Sequence, residues 1–130
     1  MKKILHVDDE KDIRAVAKLA LQSVGGFELT SCASGQEALD CVADTAPDLI
    51  LLDVMMPDMD GPSTFLELRK REDAAGIPVI FMTAKTREDE VGHLLQLGAI
   101  GVIAKPFNPM KLSEDVRMVW SDWKSGAGDG

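Results

Sequence analysis

Five short apolar segments recur along the chain, and the stretches after them carry apolar residues at helical spacing. Three of the five segments are apolar at every position, which is typical of strands buried on both faces of a parallel sheet. The predicted strands are Ile4 to Val7, Phe27 to Cys32, Leu49 to Leu52, Val79 to Met82 and Gly101 to Ala104.

The stretches between the strands carry start and stop signals of helices. Ser34 followed by Glu37 is a capping-box pattern, and Thr86 followed by Asp89 has the same spacing. Glycine often ends a helix because it adopts a left-handed conformation without strain. The sequence therefore predicts helix ends just before Gly25 and Gly26, at Gly76 and at Gly98.

Strands that alternate with helices five times predict an α/β fold, with a doubly wound five-stranded parallel sheet between two layers of helices. The sequence pattern does not fix the order of the strands, and we expect the order 2-1-3-4-5 by analogy with known doubly wound folds. The predicted domain covers residues 1–123. The glycine-rich remainder, 124–130, is predicted to be a flexible tail.

The composition fits one ordinary domain, with 130 residues of which 45% are hydrophobic and 28% charged. The net charge of -8 argues against binding of nucleic acid or of an anionic membrane by bulk attraction. No stretch reaches transmembrane length, and the apolar run at the N-terminus is too short for a signal peptide, so we expect a cytoplasmic protein. Cys32 and Cys41 lack the spacing of a metal or redox motif, and two reduced thiols are expected rather than a disulfide.

Polar residues stand where four of the predicted strands end. Asp8 and Asp9 follow the first strand, Asp53 the third, Thr83 the fourth and Lys105 the fifth. In a parallel sheet these carboxyl ends share one edge, which is the edge where open α/β folds bind ligands. If the first and third strands are neighbours, the three carboxylates meet there.

Three carboxylates at one point need compensation, since two unit charges about 4 Å apart repel by roughly 4 kcal/mol at an effective dielectric of 20. Either a proton is shared among them or a cation lies between them. An all-oxygen set of ligands favours Mg²⁺ or Mn²⁺. The cation, the Lys105 ammonium and the Thr83 hydroxyl would together neutralise a phosphoryl group on Asp53.

Each of these residues also has an ordinary structural explanation. Asp8 and Asp9 would cap the first helix, and Asp53 would belong to a turn. Thr83 would cap a helix, and Lys105 would be a solvated surface residue. Their coincidence at consecutive strand ends favours the functional interpretation.

Over residues 2 to about 122 the chain resembles the response-regulator receiver domains of two-component signal transduction, including the chemotaxis receivers. The resemblance implies a flavodoxin-like (βα)5 fold and a cytoplasmic signalling protein that is not an enzyme but assists its own phosphorylation and dephosphorylation. The motifs that carry it are Val7-Asp8-Asp9-Glu10, Leu51-Leu52-Asp53-Val54-Met55-Met56-Pro57, Met59-Asp60-Gly61, Met82-Thr83-Ala84, Gly98-Ala99 and Lys105-Pro106-Phe107.

By this resemblance Asp53 accepts a phosphoryl group from a histidine kinase or a histidine phosphotransfer protein. Asp9 and Asp53 would bind Mg²⁺ directly, together with the Met55 carbonyl, and Asp8 would act through water. Lys105 would contact the phosphoryl group, and the Lys105-Pro106 bond would be cis. The downstream target is unknown, and neither nucleic acid nor a membrane is expected as a partner of this domain.

The resemblance also implies a switch, and there the chain departs from the family. Thr83 would be the switch hydroxyl, and the small Ala84 would leave access to the site. Receivers usually carry Tyr or Phe three residues before the lysine of the Lys-Pro pair, where this chain has Val102. Valine has few rotamers and no ring to swing, so the response is expected in the loop after Thr83 rather than at the fifth strand.

Two other functions remain as alternatives. A phosphatase of the haloacid-dehalogenase type also uses an aspartyl nucleophile, but it needs a general acid two residues later, where this chain has Met55. The other alternative is a degenerate receiver that acts only as a binding module, although all the phosphorylation residues are present. A nucleotide-binding fold is disfavoured because no glycine-rich loop follows the first strand.

Overall fold

A computed structural model describes residues 1–127, in which five strands alternate with five helices. The strands are β1 (Lys3–Val7), β2 (Glu28–Cys32), β3 (Leu49–Asp53), β4 (Val79–Thr83) and β5 (Gly101–Ala104). The helices are α1 (Lys11–Lys18), which continues as a π-helical segment Leu19–Val24, α2 (Gly35–Thr45), α3 (Gly61–Arg69), α4 (Glu88–Leu97) and α5 (Leu112–Ala127).

All neighbouring strands are parallel, and their order is β2-β1-β3-β4-β5. The predicted fold class and strand order are confirmed. In the register of β1 and β3, Ile4 lies beside Leu49 and Val7 beside Leu52. This pairing places the residues after Val7 next to the carboxyl end of β3.

Apolar side chains fill both faces of the sheet, as a doubly wound fold requires. One buried cluster includes Leu5, Leu52 and Phe65, and the other includes Ile4, Leu51 and Val116. Strands β3 and β4 are buried at every residue, in agreement with their continuously apolar sequences. The two central strands, β3 and β4, are therefore packed on both faces up to their carboxyl ends.

Some of the predicted helix ends are confirmed and others are wrong. The Ser34 hydroxyl accepts a hydrogen bond from the Glu37 amide, as expected of a capping box. Gly98 ends α4 at φ +123°, a conformation that favours glycine. Thr86 does not cap α4, because that helix begins after Arg87 with three acidic residues in its first turn, which suit the positive end of the helix dipole. Gly76 does not end α3, which already ends at Arg69.

The last helix continues beyond the predicted domain boundary at residue 123. Helix α5 runs to Ala127, so the first four residues of the predicted tail are helical. The other three, 128–130, lie outside the described residues, and the flexibility of the tail stays a prediction. No helix within residues 1–127 is long and apolar enough to cross a membrane.

His6 is a buried polar residue in the middle of β1. Its side chain is fully buried, and neither ring nitrogen has a hydrogen-bond partner within residues 1–127. Burial lowers its pKa to about 4, so the ring is neutral in the folded protein near pH 7. A neutral imidazole without partners costs stability, since burying an unsatisfied polar group costs roughly 1–3 kcal/mol.

We expect His6→Leu to raise the free energy of unfolding by about 1–2 kcal/mol at pH 7. Unfolded histidine titrates near pH 6.5, so between pH 6.5 and 4 the unfolded wild type binds more protons than the folded protein. The contribution of His6 to wild-type stability therefore falls as the pH drops, and the advantage of the variant, which lacks this contribution, should grow at pH 5. Urea unfolding at both pH values measures this, with His93→Leu at an exposed histidine as control. Equal advantages at pH 7 and 5 would contradict the prediction.

Candidate functional site

The three predicted carboxylates meet at the carboxyl edge of the sheet. Asp8 follows the end of β1, and Asp53 is the last residue of β3, its neighbour. One oxygen from each of Asp8, Asp9 and Asp53 lies within 4.8 Å of the others. Asp8 and Asp53 are buried whereas Asp9 is exposed, so the cluster opens to solvent on the Asp9 side.

Lys105 supplies the positive charge that the two buried carboxylates need. Its Nζ donates to Asp8 Oδ2 at 3.0 Å and to Asp53 Oδ1 at 3.2 Å. Although burial lowers the pKa of Lys105, the hydrogen bonds and negative charges of Asp8 and Asp53 raise it above its ordinary value. The ammonium is therefore held in its charged form between two acids.

Asp53 has fewer hydrogen-bond partners than Asp8, the other buried acid of the cluster. Burial first, and then the charge of Asp8, raise its pKa to about 6 against the opposing effect of Lys105. Its Oδ2 atom is buried and has no hydrogen-bond partner within residues 1–127. Both oxygens of Asp8, in contrast, accept hydrogen bonds, one from the Glu10 amide and one from Lys105. Of the two buried carboxylates, Asp53 is thus the one with an oxygen that makes no hydrogen bond within residues 1–127.

The residues present fit a divalent metal ion. The donors are carboxylate oxygens without histidine or cysteine, which is the ligand set of Mg²⁺ rather than of a softer metal. The unpartnered Oδ2 atom of Asp53 also marks a buried acceptor that a cation would satisfy. The cluster could therefore hold a metal ion.

A cavity of about 300 Å³ opens beside the cluster. Its walls include Asp53, Met55, Ala84 and Lys105, so both the acid and the lysine border this cavity. Thr83, at the end of β4, is buried, and its hydroxyl accepts a hydrogen bond from the Lys85 amide at 3.0 Å. Thr83 therefore lies at the same carboxyl edge of the sheet as the acids, and its hydroxyl is hydrogen-bonded to the loop that follows β4.

The Lys105-Pro106 peptide bond is cis, as the resemblance implied. Val102 in β5 is half-buried and lines a separate groove against α5. It does not line the cavity beside Asp53.

Two contacts at the site were not foreseen from the sequence. Glu10 is exposed, but its Oε1 atom lies 3.7 Å from Lys105 Nζ, and its side chain lines the cavity. The Arg14 guanidinium donates to the Asp8 carbonyl at 2.8 Å and thereby braces the turn that carries the acids. Arg14 lies six residues after Asp8, a spacing that no helical pairing rule covers, so the sequence carries no signal for the second contact.

Comparison with known proteins agrees with this geometry. Residues 4–117 match the family model described as the response regulator receiver domain. The chain is 40% identical over 117 residues to the probable transcriptional regulator ycf27 of Porphyridium aerugineum, covering 90% of the chain and 47% of that protein. It is 38% identical over 128 residues to the phosphate regulon transcriptional regulatory protein PhoB of Pseudomonas aeruginosa. That match covers 98% of this chain and 55% of PhoB.

Among solved structures, chemotaxis protein CheY4 of Vibrio cholerae superposes with a TM-score of 0.84 at 33% identity. That match covers 92% of this chain and 98% of the other. The chain spans about half the length of the curated relatives it matches.

Proposed function

The chain belongs to the response regulator receiver domain family, and we propose that its Asp53 accepts a phosphoryl group from a phosphohistidine of a partner protein. The chain is thus a receiver domain of two-component signalling. The observation that carries the choice of residue is the buried Asp53 carboxylate, which has one oxygen without a hydrogen-bond partner among residues 1–127. The donor is proposed to be a histidine kinase or a histidine phosphotransfer protein in the cytoplasm.

In the proposed step an Asp53 oxygen attacks the phosphorus of the phosphohistidine. The phosphorus–nitrogen bond breaks, its electron pair stays on the imidazole, which then takes a proton, and an aspartyl phosphate forms. Charge accumulates on the phosphoryl oxygens during such a transfer. Lys105, held 3.2 Å from Asp53, is positioned to neutralise it.

The chain's own residues would hold the metal that this chemistry uses. Asp9 and Asp53 are proposed as direct ligands with the Met55 carbonyl, and Asp8 as a ligand through water. The two engaged oxygens of Asp8 support its indirect role. Bound Mg²⁺ would supply positive charge to the phosphoryl oxygens. The protein would thereby assist its own phosphorylation and dephosphorylation.

The test is incubation of the purified chain with acetyl phosphate and Mg²⁺, followed by intact mass measurement. We expect a gain of one phosphoryl group, which a chelator of divalent metals should prevent. An unchanged mass with a donor that phosphorylates another receiver in parallel would refute the proposal. A gain that survives complete chelation would refute the metal requirement.

Asp9→Ala should weaken Mg²⁺ binding at least tenfold, whereas Glu10→Ala should change it less than threefold. Both residues are exposed acids at the same turn, but only Asp9 has an oxygen within 4.8 Å of Asp8 and Asp53. Glu10 instead lies near Lys105, so its loss removes a charge that pairs with the lysine but no proposed metal ligand. Titration calorimetry with Mg²⁺ measures both affinities, and equal losses would mean that the ligands are misassigned.

The switch is expected to act through the loop after Thr83. The Thr83 hydroxyl accepts a hydrogen bond from the Lys85 amide. Movement of this hydroxyl toward a phosphoryl group on Asp53 would break that hydrogen bond. A cavity of about 340 Å³ between Thr83 and Leu94 of α4 leaves room for the loop or α4 to move. Val102 has no ring to transmit the change to β5.

Amide chemical-shift mapping with and without beryllofluoride, a phosphoryl mimic, should therefore show larger changes in residues 84–88 than in β5 and α5. Val102→Tyr provides a matched variant, in which larger changes at β5 are expected. Large shifts centred on Val102 in the wild type, with a quiet loop, would contradict this prediction.

A further inference from the structure

The two cysteines, expected as reduced thiols, lie in contact. Cys32 ends β2 and Cys41 lies in the middle of α2, and their Sγ atoms are 3.3 Å apart. Both are free thiols, so the pair is in its reduced form. A covalent bond needs the sulfurs at about 2.05 Å, which requires an approach of only about 1.3 Å.

We propose that Cys32 and Cys41 form a reversible intramolecular disulfide, a second site of covalent modification separate from the phosphoacceptor. Because the two sulfurs are already in contact in the folded chain, forming the bond restricts the two side chains only slightly further. Neither cysteine belongs to the proposed phosphorylation chemistry, so the proposal stands independently of that function.

The two thiols differ in accessibility, and this difference sets the order of reaction. Cys32 is buried, whereas Cys41 is partly exposed. Burial, together with the hydrogen bond between the two thiols, raises the pKa of Cys32 to about 12, so Cys32 is a poor first nucleophile. Cys41 is therefore the thiol that an external oxidant reaches first.

With a peroxide as oxidant, the Cys41 sulfur takes one oxygen to become a sulfenic acid, and the other peroxide oxygen leaves as water. The Cys32 sulfur then bonds to the Cys41 sulfur, and the Cys32 proton leaves with the hydroxyl as a second water. Two thiols are oxidised by two electrons and one peroxide is reduced. A thiol reductant reverses the change by exchange through a mixed disulfide.

The disulfide would form close to the cluster of Asp8, Asp9 and Asp53. The Cys32 carbonyl accepts a hydrogen bond from the Asp8 amide at 3.0 Å, so the residue that anchors the bridge also holds the turn after β1. Closing the ring from 32 to 41 would fix the connection between β2 and α2. A crosslink around a loop of this size stabilises the folded state chiefly by restricting the unfolded chain.

The test treats the folded, reduced protein with a small excess of hydrogen peroxide and, separately, with oxidised glutathione. We expect the intact mass to fall by two hydrogens and both free thiols to disappear, with full recovery after dithiothreitol. A peptide map should link the peptides that contain Cys32 and Cys41. The bridged form should melt at least about 3 °C higher than the reduced form.

Cys41→Ser is the matched control, because serine keeps the size of a partly exposed side chain. It should lose the two-hydrogen mass change and the shift in melting temperature. Retained thiols in the wild type, a stable mixed disulfide at Cys41, or disulfide-linked dimers in place of the internal bridge would each overturn the proposal. These readouts do not involve Asp53, so their failure is distinguishable from failure of phosphorylation.

Discussion

Asp53→Asn is expected to abolish phosphoryl incorporation and at the same time to stabilise the folded protein. The amide has no nucleophilic carboxylate oxygen, so no aspartyl phosphate forms. The gain in stability follows from the raised pKa of Asp53, about 6 in the folded protein against 3.8 for an ordinary aspartate. A raised acid pKa means that the charged form costs stability, and this cost sets in as the pH rises from about 4 through 6.

The expected gain for Asp53→Asn is about 1–3 kcal/mol at pH 7 without divalent metal, and it should vanish below pH 4. Chemical unfolding at several pH values measures it, and intact mass after acetyl phosphate and Mg²⁺ measures incorporation. Asp58→Asn, at an exposed aspartate in the loop that follows β3, is the matched control. It should keep the stability and the phosphoryl incorporation of the wild type. A full phosphoryl signal in Asp53→Asn or Asp53→Ala would disprove the assignment of the phosphosite.

The elements of this fold could be predicted because their signals are local. An apolar run such as Leu49 to Leu52 identifies a buried strand without knowledge of its neighbours. The convergence of Asp8 and Asp53 depends on which strands are adjacent, and that order came only by analogy before the structure placed β1 beside β3. The helix start predicted at Thr86 and the helix end predicted at Gly76 were wrong, because each rested on one or two residues and helix boundaries are the least predictable part of a helix.

Contacts between side chains that are far apart in the sequence could not be predicted from sequence patterns. Lys105 could be placed at the edge of the sheet, but its bond to Asp8 joins residues 97 positions apart and depends on the path of a flexible side chain. The contact of Cys32 with Cys41 joins a strand to a helix and follows no spacing rule. His6 lies in an apolar strand and is buried, but no sequence pattern indicates that its ring nitrogens lack hydrogen-bond partners within residues 1–127.

Lys105→Met is expected to destabilise the metal-free protein by about 2–4 kcal/mol and to slow phosphorylation at least a hundredfold. Methionine keeps the apolar stem but removes the ammonium that lies 3.0 Å from Asp8 and 3.2 Å from Asp53. Removing one partner of a buried ion pair leaves the other charges uncompensated, which costs roughly 3–5 kcal/mol in full. Protonation of Asp53, whose pKa is already raised, should relieve part of this cost. Urea unfolding and intact-mass time courses are the measurements.

Lys70→Met serves as the control for loss of a lysine, since the Lys70 pair with Glu67 is exposed and should change stability by less than about 0.5 kcal/mol. The decisive comparison is the double variant Asp53→Asn with Lys105→Met. If the lysine acts by compensating the buried acids, its loss should cost much less once Asp53 is neutral, because Asp8 alone then remains to be balanced. Saturating Mg²⁺ should also restore part of the stability of Lys105→Met, since a bound cation supplies the missing positive charge. Equal costs of Lys105→Met with Asp53 present and absent, unaffected by Mg²⁺, would show that the lysine contributes packing rather than charge.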